Sequence, residues 1–482
     1  MMVTATNTPA REWGFFVHGK WMTEGDTIEV LSPYDGSVVG TVHRATATHA
    51  EAAIRAAQHA FETTRKMPSY ERQRILRAIS DGIAENREEF AALMALEAGK
   101  PIRTARAEVD RAIFTFAIAA EEATRIGGEW LPLDLQPSAA GRGGIVRRFP
   151  LGPVLGITPF NFPLNLVAHK VAPAIAAGCT MVLKPATKTP LCALRLAQIV
   201  ESAGLPEGAL NVLPMSNGDA ERLVTDDQLK LLSFTGSAAV GWSLKSKAGK
   251  KKVVLELGGN AAVIVHSDAN GDEAAAKCVQ GGFSYAGQSC ISVQRIFVQR
   301  EIEPQFTEKL VAGARKLKTG DPLDESTDVG PMIDEDAARR AAEWIDEAVA
   351  GGAQLLCGGK RSGALLEPAV LTHTKERMKV QCQELFAPVV VVEPYDDFDE
   401  AIRRVNDSAY GLQAGVFTRD ARLLFRAFEQ IEVGGVIAND MSSFRIDHMP
   451  YGGVKDSGMG REGLRYAIEE MTEPRLLVLN LH

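Results

Sequence analysis

The sequence lacks the paired cysteines, the excess of basic charge and the long apolar runs that mark several protein classes. Its six cysteines are scattered over 482 residues, without a Cys-x-x-Cys pair and without a histidine at zinc-ligand spacing. We therefore expect a reduced, cytoplasmic protein without a bound metal. A net charge of −8 argues against nucleic acid or an anionic membrane surface as a partner.

Targeting and membrane-spanning segments are also missing. The start, MMVTATNTPAREWGFFVHGKW, has neither the basic nor the apolar region of a signal peptide. The most apolar segments, 151–168 and 171–183, are interrupted by prolines, asparagines and glycines, and His169 and Lys170 lie between them. We expect no membrane span.

Two glycine-rich stretches resemble nucleotide-binding motifs but stand in the wrong context. GMGREG, residues 458–463, satisfies G-x-G-x-x-G, yet it follows a polar stretch, and too few residues remain for a βαβ unit. GSAAVGWS, residues 236–243, has Trp242 where a P-loop carries lysine. Neither H-E-x-x-H nor G-x-S-x-G occurs, which excludes the usual metalloprotease and α/β-hydrolase motifs.

Hydrophobic periodicity predicts a helical region followed by two α/β regions. From about residue 47 to 125 the apolar residues recur every three or four positions, which predicts helices. One of the predicted helical segments is long and covers 69–100. Short apolar runs then alternate with helical patterns, first as GPVLGITP, CTMVLKPA, GALNVLP, LKLLSFTG and KKVVLEL, and after 257 as AAVIVH, helix 271–286, SVQRIFVQ, helices 301–317 and 335–351, and strands near 389 and 415. This alternation is typical of doubly wound parallel sheets, which bind ligands beyond the carboxyl ends of their strands.

Three loops carry residues suited to acyl chemistry. ITPFNFP contains Asn161, LELGGN contains Glu256, and GQSC ends in Cys290. A thiol nucleophile, an amide that stabilises an oxyanion and a carboxylate that activates water are the parts needed to form and hydrolyse a thioester. Each residue alone has a commoner role, as a core thiol, a turn asparagine or a solvated glutamate. No histidine lies in these loops, which argues against a papain-like Cys-His pair.

Seven motifs in one order strengthen the catalytic interpretation. They are PFNFP, KPA, FTGS, LELGGN, GQSC, ELFAPVV and PYGGVKDSGMGREG. Together they resemble the NAD(P)-dependent aldehyde dehydrogenase superfamily, over the chain from about residue 14 to the end. The tail RIDHMPYGGVKDSGMGREGLRYAIEEMTE is most similar to the lactaldehyde dehydrogenase-like branch, whose members act on small hydroxy-, phospho- or phosphonoaldehydes.

The resemblance implies roles for five residues in catalysis. Cys290 would attack the aldehyde, and Asn161 with the Cys290 N–H would stabilise the oxyanion. Glu256 would activate the hydrolytic water, and Lys170 and Glu462 would relay protons with it. The implied reaction is NAD(P)-dependent oxidation of a small aldehyde to its carboxylic acid, through a thiohemiacetal and a thioester, with hydride passing to the nicotinamide.

NADP or NAD is the cofactor that the resemblance implies. The expected contacts to the dinucleotide come from Thr158, Pro159, Phe160, Lys184, Thr187, Gly218, Gly236, Ser237, Leu257, Gly258, Glu384 and Phe386. Thr187 stands where NAD-preferring members commonly carry a glutamate, and the missing charge predicts tolerance of NADP. Lys188 would add attraction if it pointed inward.

Three residues near Asn161 are expected to face the aldehyde: Phe162, Asn165 and His169. Asn165 and His169 would make that wall polar, which suits a short hydroxylated or anionic aldehyde, such as lactaldehyde, glyceraldehyde or phosphonoacetaldehyde. Arg106, Arg111 and Arg445 are conceivable anion partners, but we expect each of them to be solvated at the surface, because arginines are mostly exposed.

The resemblance also implies a division into domains. The cofactor-binding domain would comprise 1–124 and 144–256, and the catalytic domain 257–465. An oligomerisation arm would comprise 125–143 and 466–482. The apolar strand RLLVLNL at the end of the chain, left as a free edge, would invite pairing with another chain, so a homodimer or homotetramer is expected.

Three alternatives stay open at this point. A CoA-acylating semialdehyde dehydrogenase would pass the acyl group from Cys290 to CoA, but such enzymes usually lack the hydrolytic glutamate, and Glu256 is present. A dehydrogenase of the succinate-semialdehyde type would differ in its substrate. An inactive structural or binding homologue would keep only the fold.

Overall fold

Short strands and four helices form the amino-terminal part of the chain in the computed structural model, which describes residues 11–480. In chain order they are β1 (Arg11–Trp13), β2 (Phe15–Val17), β3 (Lys20–Met22), β4 (Thr27–Leu31), β5 (Val38–His43), α1 (Ala47–Thr64), α2 (Ser69–Glu85), α3 (Arg87–Ala98), α4 (Ile102–Ala123), β6 (Gly128–Pro132) and β7 (Arg142–Pro150). Residues 1–10 and 481–482, at the outer ends of the predicted cofactor-binding domain and arm, lie outside the described residues.

The helical segment predicted over 69–100 is two helices. Asn86 separates α2 from α3 with φ −109° and ψ 23°, and its Nδ2 donates to the carbonyl of Gly82 at 2.8 Å. An asparagine side chain offers the backbone this alternative to helical hydrogen bonding, so it ends α2. Helix α3 ends at Gly99, whose φ of 67° lies in the left-handed region that glycine adopts readily.

Strands and helices alternate through the rest of the chain. As far as Glu256 they are β8 (Pro153–Ile157), α5 (Asn165–Ala177), β9 (Thr180–Lys184), α6 (Leu191–Ser202), β10 (Leu210–Val212), α7 (Asn217–Thr225), β11 (Leu231–Thr235), α8 (Ala238–Lys247) and β12 (Lys252–Glu256). They continue as β13 (Ala262–Val265), α9 (Gly271–Phe283), β14 (Arg295–Gln299), α10 (Glu303–Lys316), α11 (Glu335–Ala350), β15 (Gln354–Cys357), β16 (Arg361–Ser362), β17 (Leu365–Leu366), β18 (Ala369–Thr372), α12 (Lys379–Cys382), β19 (Val389–Tyr395), α13 (Phe398–Asn406), β20 (Tyr410–Gly411), β21 (Gln413–Phe417), α14 (Ala421–Gln430), β22 (Gly435–Ala438), β23 (Val454–Lys455), β24 (Gly458–Met459), α15 (Leu464–Glu470) and β25 (Thr472–Asn480).

Two large sheets dominate the fold. One has the order β24-β12-β11-β8-β9-β10-β2-β3 and the other β15-β18-β19-β14-β13-β21-β22. Strands pair in parallel in the middle of both sheets, and antiparallel strands stand at the ends of the first and at the β15 edge of the second. A third, antiparallel sheet has the order β25-β7-β6. The prediction of two doubly wound α/β units with a small β arm is confirmed.

Strand β8 marks the switch point of the first sheet. The chain continues from β8 to β9 on one side, whereas β11 pairs with β8 on the other. The loops that follow β8 and β11 therefore diverge from neighbouring carboxyl ends and leave a crevice, which is where open α/β sheets bind ligands. The link from β12 to β13, residues 257–261, carries the chain from this edge to the start of a strand in the second sheet.

The central elements are buried on all sides. Every residue of β8, β9 and β11 is buried, as is every residue of α5, including its internal proline, Pro173. Strands covered on both faces read as continuous apolar runs, which explains the sequence pattern. Such a rigid centre fixes the loops at its edge.

The domain boundaries stay a prediction. Strand β24 lies within the predicted catalytic domain but pairs with β12 in the first sheet. Strand β7 pairs with β25 as far as Pro150, beyond the predicted boundary between 143 and 144. Within residues 11–480, no helix is long and apolar enough to cross a bilayer.

Candidate active site

A cavity of about 260 Å³ lies at the switch point of the first sheet, against the loop that carries Cys290. The predicted site residues that line it are Pro159, Phe160, Asn161, Phe162, Asn165, Gly236, Ser237, Glu256, Leu257, Gly258, Cys290, Glu384, Phe386 and Glu462. Arg111, Leu166, Thr235, Ser289, Ile291, Arg340, Arg445 and Tyr451 complete the lining. The structure thus brings the three loops of the sequence analysis to one place.

A strained turn presents Cys290 to this cavity. Tyr285 and Ala286 have φ of 50° and 51°, in the left-handed region that costs energy for residues with a side chain. Gly287 follows with φ 67°, and a Cβ there would lie 2.0 Å from the carbonyl oxygen of Ala387. Only glycine fits that approach, which explains the Gly-Gln-Ser lead into the cysteine. Cys290 is partly exposed at the end of this turn.

The thiol of Cys290 contacts one hydroxyl group. Its Sγ lies 2.9 Å from the hydroxyl oxygen of Tyr451. Burial raises the pKa of the Cys290 thiol to about 12, while the Tyr451 hydroxyl and the charge of Arg445 act in the opposite direction. Reactivity requires the thiolate, so the groups that oppose the effect of burial matter for any chemistry at this atom.

Two hydrogen-bond donors lie beside the thiol. Asn161 Nδ2 donates to the carbonyl of Gln288 at 3.0 Å, which leaves the second hydrogen of the amide available. The N–H of Cys290 has no acceptor among the described residues. An amide hydrogen and a backbone N–H at one site match the requirements of an oxyanion hole.

Glu256 ends β12 with a buried carboxyl group. Neither of its oxygens has a hydrogen-bond partner among the described residues. Burial, and secondly the negative charge of Glu462, raise the pKa of Glu256 well above its usual value, although Arg445 and Lys170 oppose the shift. A carboxylate whose affinity for protons is increased in this way is a stronger base for a water molecule.

Lys170 and Glu462 lie together behind Glu256. The ammonium of Lys170 donates to Thr235 Oγ1 at 2.8 Å and reaches Glu462 Oε1 at 3.5 Å. Arg445 donates to Glu462 Oε2 at 2.9 Å. Burial alone would raise the pKa of Glu462, but the two cations outweigh it and hold that pKa at about 2. Of the two acids, Glu462 is therefore the stronger, and Glu256 has the higher affinity for a proton.

At the other end of the cavity, Gly258 and Glu384 approach each other closely. A Cβ at residue 258 would lie 2.3 Å from the Glu384 carboxylate, which accepts a hydrogen bond from the N–H of Gly259 at 3.0 Å. Burial raises the pKa of Glu384 to about 7, although the hydrogen bond from Gly259 acts in the opposite direction. The rings of Phe160 and Phe386 meet edge to face at 5.9 Å. This end offers an apolar wall and one carboxylate to a ligand.

Lys184 is a buried cation without a partner. It ends β9, and no described residue accepts a hydrogen bond from its ammonium. Burial lowers the pKa of Lys184 to about 8. Thr158 is placed next to it, since its N–H donates to the Lys184 carbonyl at 3.2 Å. A buried ammonium that is left free in this way indicates an acceptor on a ligand.

The remaining predicted cofactor residues lie around the crevice. Ser237 precedes α8, whose first N–H groups suit a phosphate, and Gly218 lies in the first turn of α7. Thr187 is exposed. The ammonium of Lys188 pairs with Asp334, so its charge is neutralised there. Thr158, Lys184, Thr187 and Gly218 do not line the main cavity.

The prediction for His169 was wrong. It does not line the cavity; its Nε2 lies 2.8 Å from Asp447 Oδ1 and 3.3 Å from Arg445. Asn165, one turn earlier on α5, does line the cavity, and its amide donates to Asp447 at 3.0 Å. Because α5 is buried on every side, its periodicity does not show which face meets the cavity.

Of the three arginines, Arg445 was also placed wrongly, whereas Arg106 and Arg111 each keep more than a quarter of their side chains exposed. Only 7 % of the Arg445 side chain is exposed, and its Nε lacks an acceptor among the described residues. Arg111 lines the cavity and binds Asp447 through two hydrogen bonds of 2.7 and 3.1 Å. Arg106 pairs with Glu88 and Glu325, as expected for a surface residue.

Four residues at the cavity or in contact with its lining were missed by sequence reasoning: Lys100, Arg340, Asp447 and Tyr451. Tyr451 and Asp447 belong to the tail motif that carries the resemblance. The motif indicates that this segment lies near the site, but it does not show which residues the two side chains contact. Lys100 stands between a glycine and a proline, a setting that reads as a helix end. Arg340 is exposed on α11 at the rim of the cavity. Within residues 11–480, no group of three or more metal-ligating side chains could hold a metal ion.

The thiol, the two donors and the buried carboxyl define a class of enzyme that forms a thioester and then hydrolyses it. The aldehyde dehydrogenase family, which uses this chemistry, matches the chain over residues 21–477. The chain belongs to the aldehyde dehydrogenase family and is an NAD(P)-dependent oxidoreductase. The resemblance drawn from the seven motifs is confirmed.

Relatives with assigned activities match the chain over nearly its whole length. A 3-sulfolactaldehyde dehydrogenase of Priestia aryabhattai is 48% identical over 98% of this chain and 99% of its own. A lactaldehyde dehydrogenase of Methanococcus aeolicus is 39% identical over 96% and 99%. These names agree with the lactaldehyde dehydrogenase-like branch.

Solved structures show the same fold. Aldehyde dehydrogenase 21 from Physcomitrella patens, in complex with the reaction product succinate, has a TM-score of 0.97 and 45% identity, covering 98% of this chain and 99% of that chain. Glyceraldehyde-3-phosphate dehydrogenase from Methanocaldococcus jannaschii, complexed with NADP, has a TM-score of 0.91 and 40% identity, covering 95% and 100%.

Proposed function

We propose that the protein oxidises a short anionic aldehyde to its carboxylic acid, with Cys290 as the nucleophile. The observation that carries the choice of an anion is Arg445. It lines the cavity, its Nε lacks an acceptor among the described residues, and its Cζ lies 3.7 Å from the ring centre of Tyr451, the residue that contacts the thiol. A buried guanidinium N–H without a partner favours a ligand that supplies an acceptor. Arg111 adds a second cation to the wall.

Acylation begins at Cys290. The thiolate attacks the aldehyde carbon, and the resulting oxyanion is held by the free N–H groups of Asn161 and Cys290. The bound nicotinamide supplies a hydride acceptor. Phe160 and Phe386 form an apolar wall at that end of the cavity. Loss of the hydride from the former aldehyde carbon to the nicotinamide would leave the acyl group on the sulfur as a thioester.

Deacylation uses Glu256. Its carboxyl group has two free acceptor oxygens at the cavity, and it can take a proton from a water molecule once it is ionised. Lys170, through Glu462, lies behind Glu256 and offers a route for the proton away from the site. These features support a free acid as the product. CoA as acyl acceptor is the alternative that keeps the same first step.

The residues around the crevice fit a dinucleotide. Lys184 offers a free ammonium for ribose hydroxyls, and Glu384 offers a carboxylate for the second ribose. The start of α8, at Gly236 and Ser237, offers backbone N–H groups for the pyrophosphate. No carboxylate stands at Thr187 to repel a 2′-phosphate, so we propose that NADP is used at least as well as NAD.

The names of the relatives support an anionic substrate. One is named for 3-sulfolactaldehyde, a solved neighbour holds succinate, and another is a dehydrogenase of glyceraldehyde-3-phosphate. All three compounds carry a negative group within a few bonds of the reacting carbon. The lactaldehyde dehydrogenases show that an uncharged hydroxyaldehyde is the main competitor.

A matched pair of aldehydes tests the proposal. We expect kcat/KM for 3-sulfolactaldehyde or succinate semialdehyde to exceed that for lactaldehyde by at least about tenfold, since each charge-assisted hydrogen bond adds about 1.5–3 kcal/mol. Arg445→Gln should abolish that preference, mainly through KM for the anionic aldehyde. Arg106→Gln, which alters a surface arginine bonded to Glu88 and Glu325, is the matched control and should keep it. A wild-type preference for lactaldehyde would contradict the anionic substrate.

We also propose that the small sheet assembles the protein into a homodimer or homotetramer. Strand β25 is the edge of that sheet, and it exposes Leu476, Leu477 and Val478, each at least half accessible. A long apolar edge strand has unpaired backbone N–H and C=O groups, which can pair with a strand of another chain. Light scattering should give a mass that is a multiple of the 51.9 kDa chain, and Leu477→Lys should lower it.

All six cysteines are free in the structure, which supports a reducing compartment such as the cytoplasm.

A further inference from the structure

We propose that Tyr451 is a catalytic residue whose hydroxyl donates a hydrogen bond to the Cys290 thiolate and so lowers the pH at which the nucleophile forms. The contact that carries this inference is the distance of 2.9 Å between Cys290 Sγ and the Tyr451 hydroxyl oxygen. It rests on the proposed role of Cys290 as the nucleophile. No other side-chain hydroxyl among the described residues is bonded to this sulfur.

Tyr451 is held rigidly in this position. Its backbone N–H and carbonyl both pair with Glu462, at 3.1 and 2.6 Å, and the residue is buried. Arg445 stacks on the outer face of the ring, with Cζ 3.7 Å from the ring centre. Glycines follow at 452 and 453, and a Cβ at 453 would lie 2.3 Å from the Ser457 side chain. Because the ring is buried and packed against Arg445, its hydroxyl is held at the sulfur with little further ordering cost.

Burial and two carboxyl groups disfavour a charged sulfur, and this hydrogen bond opposes them. Arg445 favours the thiolate, whereas Glu256 and Glu384 disfavour it, and burial disfavours it most. A hydrogen bond to the charged form opposes burial directly. Burial raises the pKa of Tyr451 well above its usual value, which favours the protonated hydroxyl that this hydrogen bond needs. The thiol proton leaves to water in the cavity, the Tyr451 O–H then donates to the sulfur, and the electron pair of the sulfur forms the bond to the aldehyde carbon.

The experiment measures the reactivity of the thiol itself. The full-length enzyme is treated with iodoacetamide at a series of pH values, and alkylation of Cys290 is followed by mass spectrometry of its peptide. We expect Tyr451→Phe to move the midpoint of this pH profile upward by about one pH unit or more, because a charge-assisted hydrogen bond is lost. At neutral pH kcat/KM should fall about tenfold, while the Kd for NADP stays within about twofold.

The matched control is Tyr395→Phe. Tyr395 is also buried, but its hydroxyl lies 3.0 Å from His266 Nδ1 and does not contact the thiol. This variant should leave the alkylation midpoint unchanged. Tyr451→Met, which also lacks the hydroxyl, gives a second measurement if Tyr451→Phe folds poorly, and it should shift the midpoint in the same direction.

The outcomes separate this inference from the proposed function. An unchanged alkylation midpoint in both Tyr451 variants overturns the role of Tyr451 and leaves Cys290 as the nucleophile. Full turnover by Cys290→Ala overturns the proposed function instead. A shift in the midpoint for Tyr395→Phe of the same size would show a general effect of lost hydroxyls, and it would also overturn the role of Tyr451.

Discussion

The ammonium of Lys100 donates a hydrogen bond to the carbonyl oxygen of Asn161 at 2.8 Å, although the two residues are 61 positions apart in the sequence. The same ammonium pairs with the buried carboxylate of Glu108 and lies 3.9 Å from the ring centre of Phe162. Glu108 in turn accepts from the N–H groups of Leu164 and Asn165. One buried ion pair thus fixes the whole loop that carries the oxyanion donor.

We predict that Lys100→Met lowers both stability and turnover. Removing one partner of a buried pair leaves the other charge uncompensated, which costs about 3–5 kcal/mol. Adding Glu108→Gln should restore most of the stability, because no charge is then left unpaired. It should not restore kcat, since nothing holds the Asn161 carbonyl. Thermal unfolding and steady-state rates of both variants check this, and full recovery of kcat in the double variant would contradict it.

Cys290→Ala should abolish aldehyde oxidation and leave dinucleotide binding nearly intact, because the change removes the nucleophile and little else. Turnover is followed by NAD(P)H absorbance, and binding by fluorescence titration. Cys278→Ala is the control: its thiol is buried in the core of the second sheet, and its loss should affect stability more than rate. Residual turnover above a few per cent in Cys290→Ala would remove Cys290 from the reaction.

Thr187→Glu should shift cofactor use toward NAD. Thr187 is exposed, so water screens the repulsion between a new carboxylate and a 2′-phosphate, and we expect about 1–2 kcal/mol, or about tenfold in the ratio of kcat/KM. Lys188 is paired with Asp334 and should change little when it is replaced by glutamine. If the wild type ignores NADP, or the ratio does not move, Thr187 does not set cofactor choice.

Lys184→Met should stabilise the enzyme without cofactor while weakening dinucleotide binding. The pKa of Lys184 is about 8 in the folded protein and 10.5 as an ordinary lysine, so between these values the unfolded chain binds more protons and stability rises with pH. Below about pH 8 the full cost applies, which is about 3 kcal/mol. The variant should therefore melt at a higher temperature near pH 7, and this advantage should shrink toward pH 10.5. A lower melting temperature for the variant at pH 7 would show that Lys184 has a partner in the folded protein.

Much of the site could be predicted because its chemistry sits in short loops between regular elements. Asn161 follows a strand, Glu256 ends one and Cys290 follows a glycine turn, all of which the sequence shows, and the switch point brings such loops together. The contact of Tyr451 with Cys290 spans 161 positions, and nothing local indicates it. Arg445 is buried in the folded chain, where it forms an ion pair with Glu462. Long-range pairs of this kind need the structure.

Trapping the acyl group tests the central claim most directly. Glu256→Gln keeps the acylation residues but removes the base, so mixing it with NADP and an anionic aldehyde should give a burst of NADPH of about one equivalent per active site, then a stall. Peptide mass spectrometry should find the acyl group on Cys290. Unchanged steady-state turnover, or an acyl group on another residue, would contradict the account, and rescue by added CoA would favour the acylating alternative.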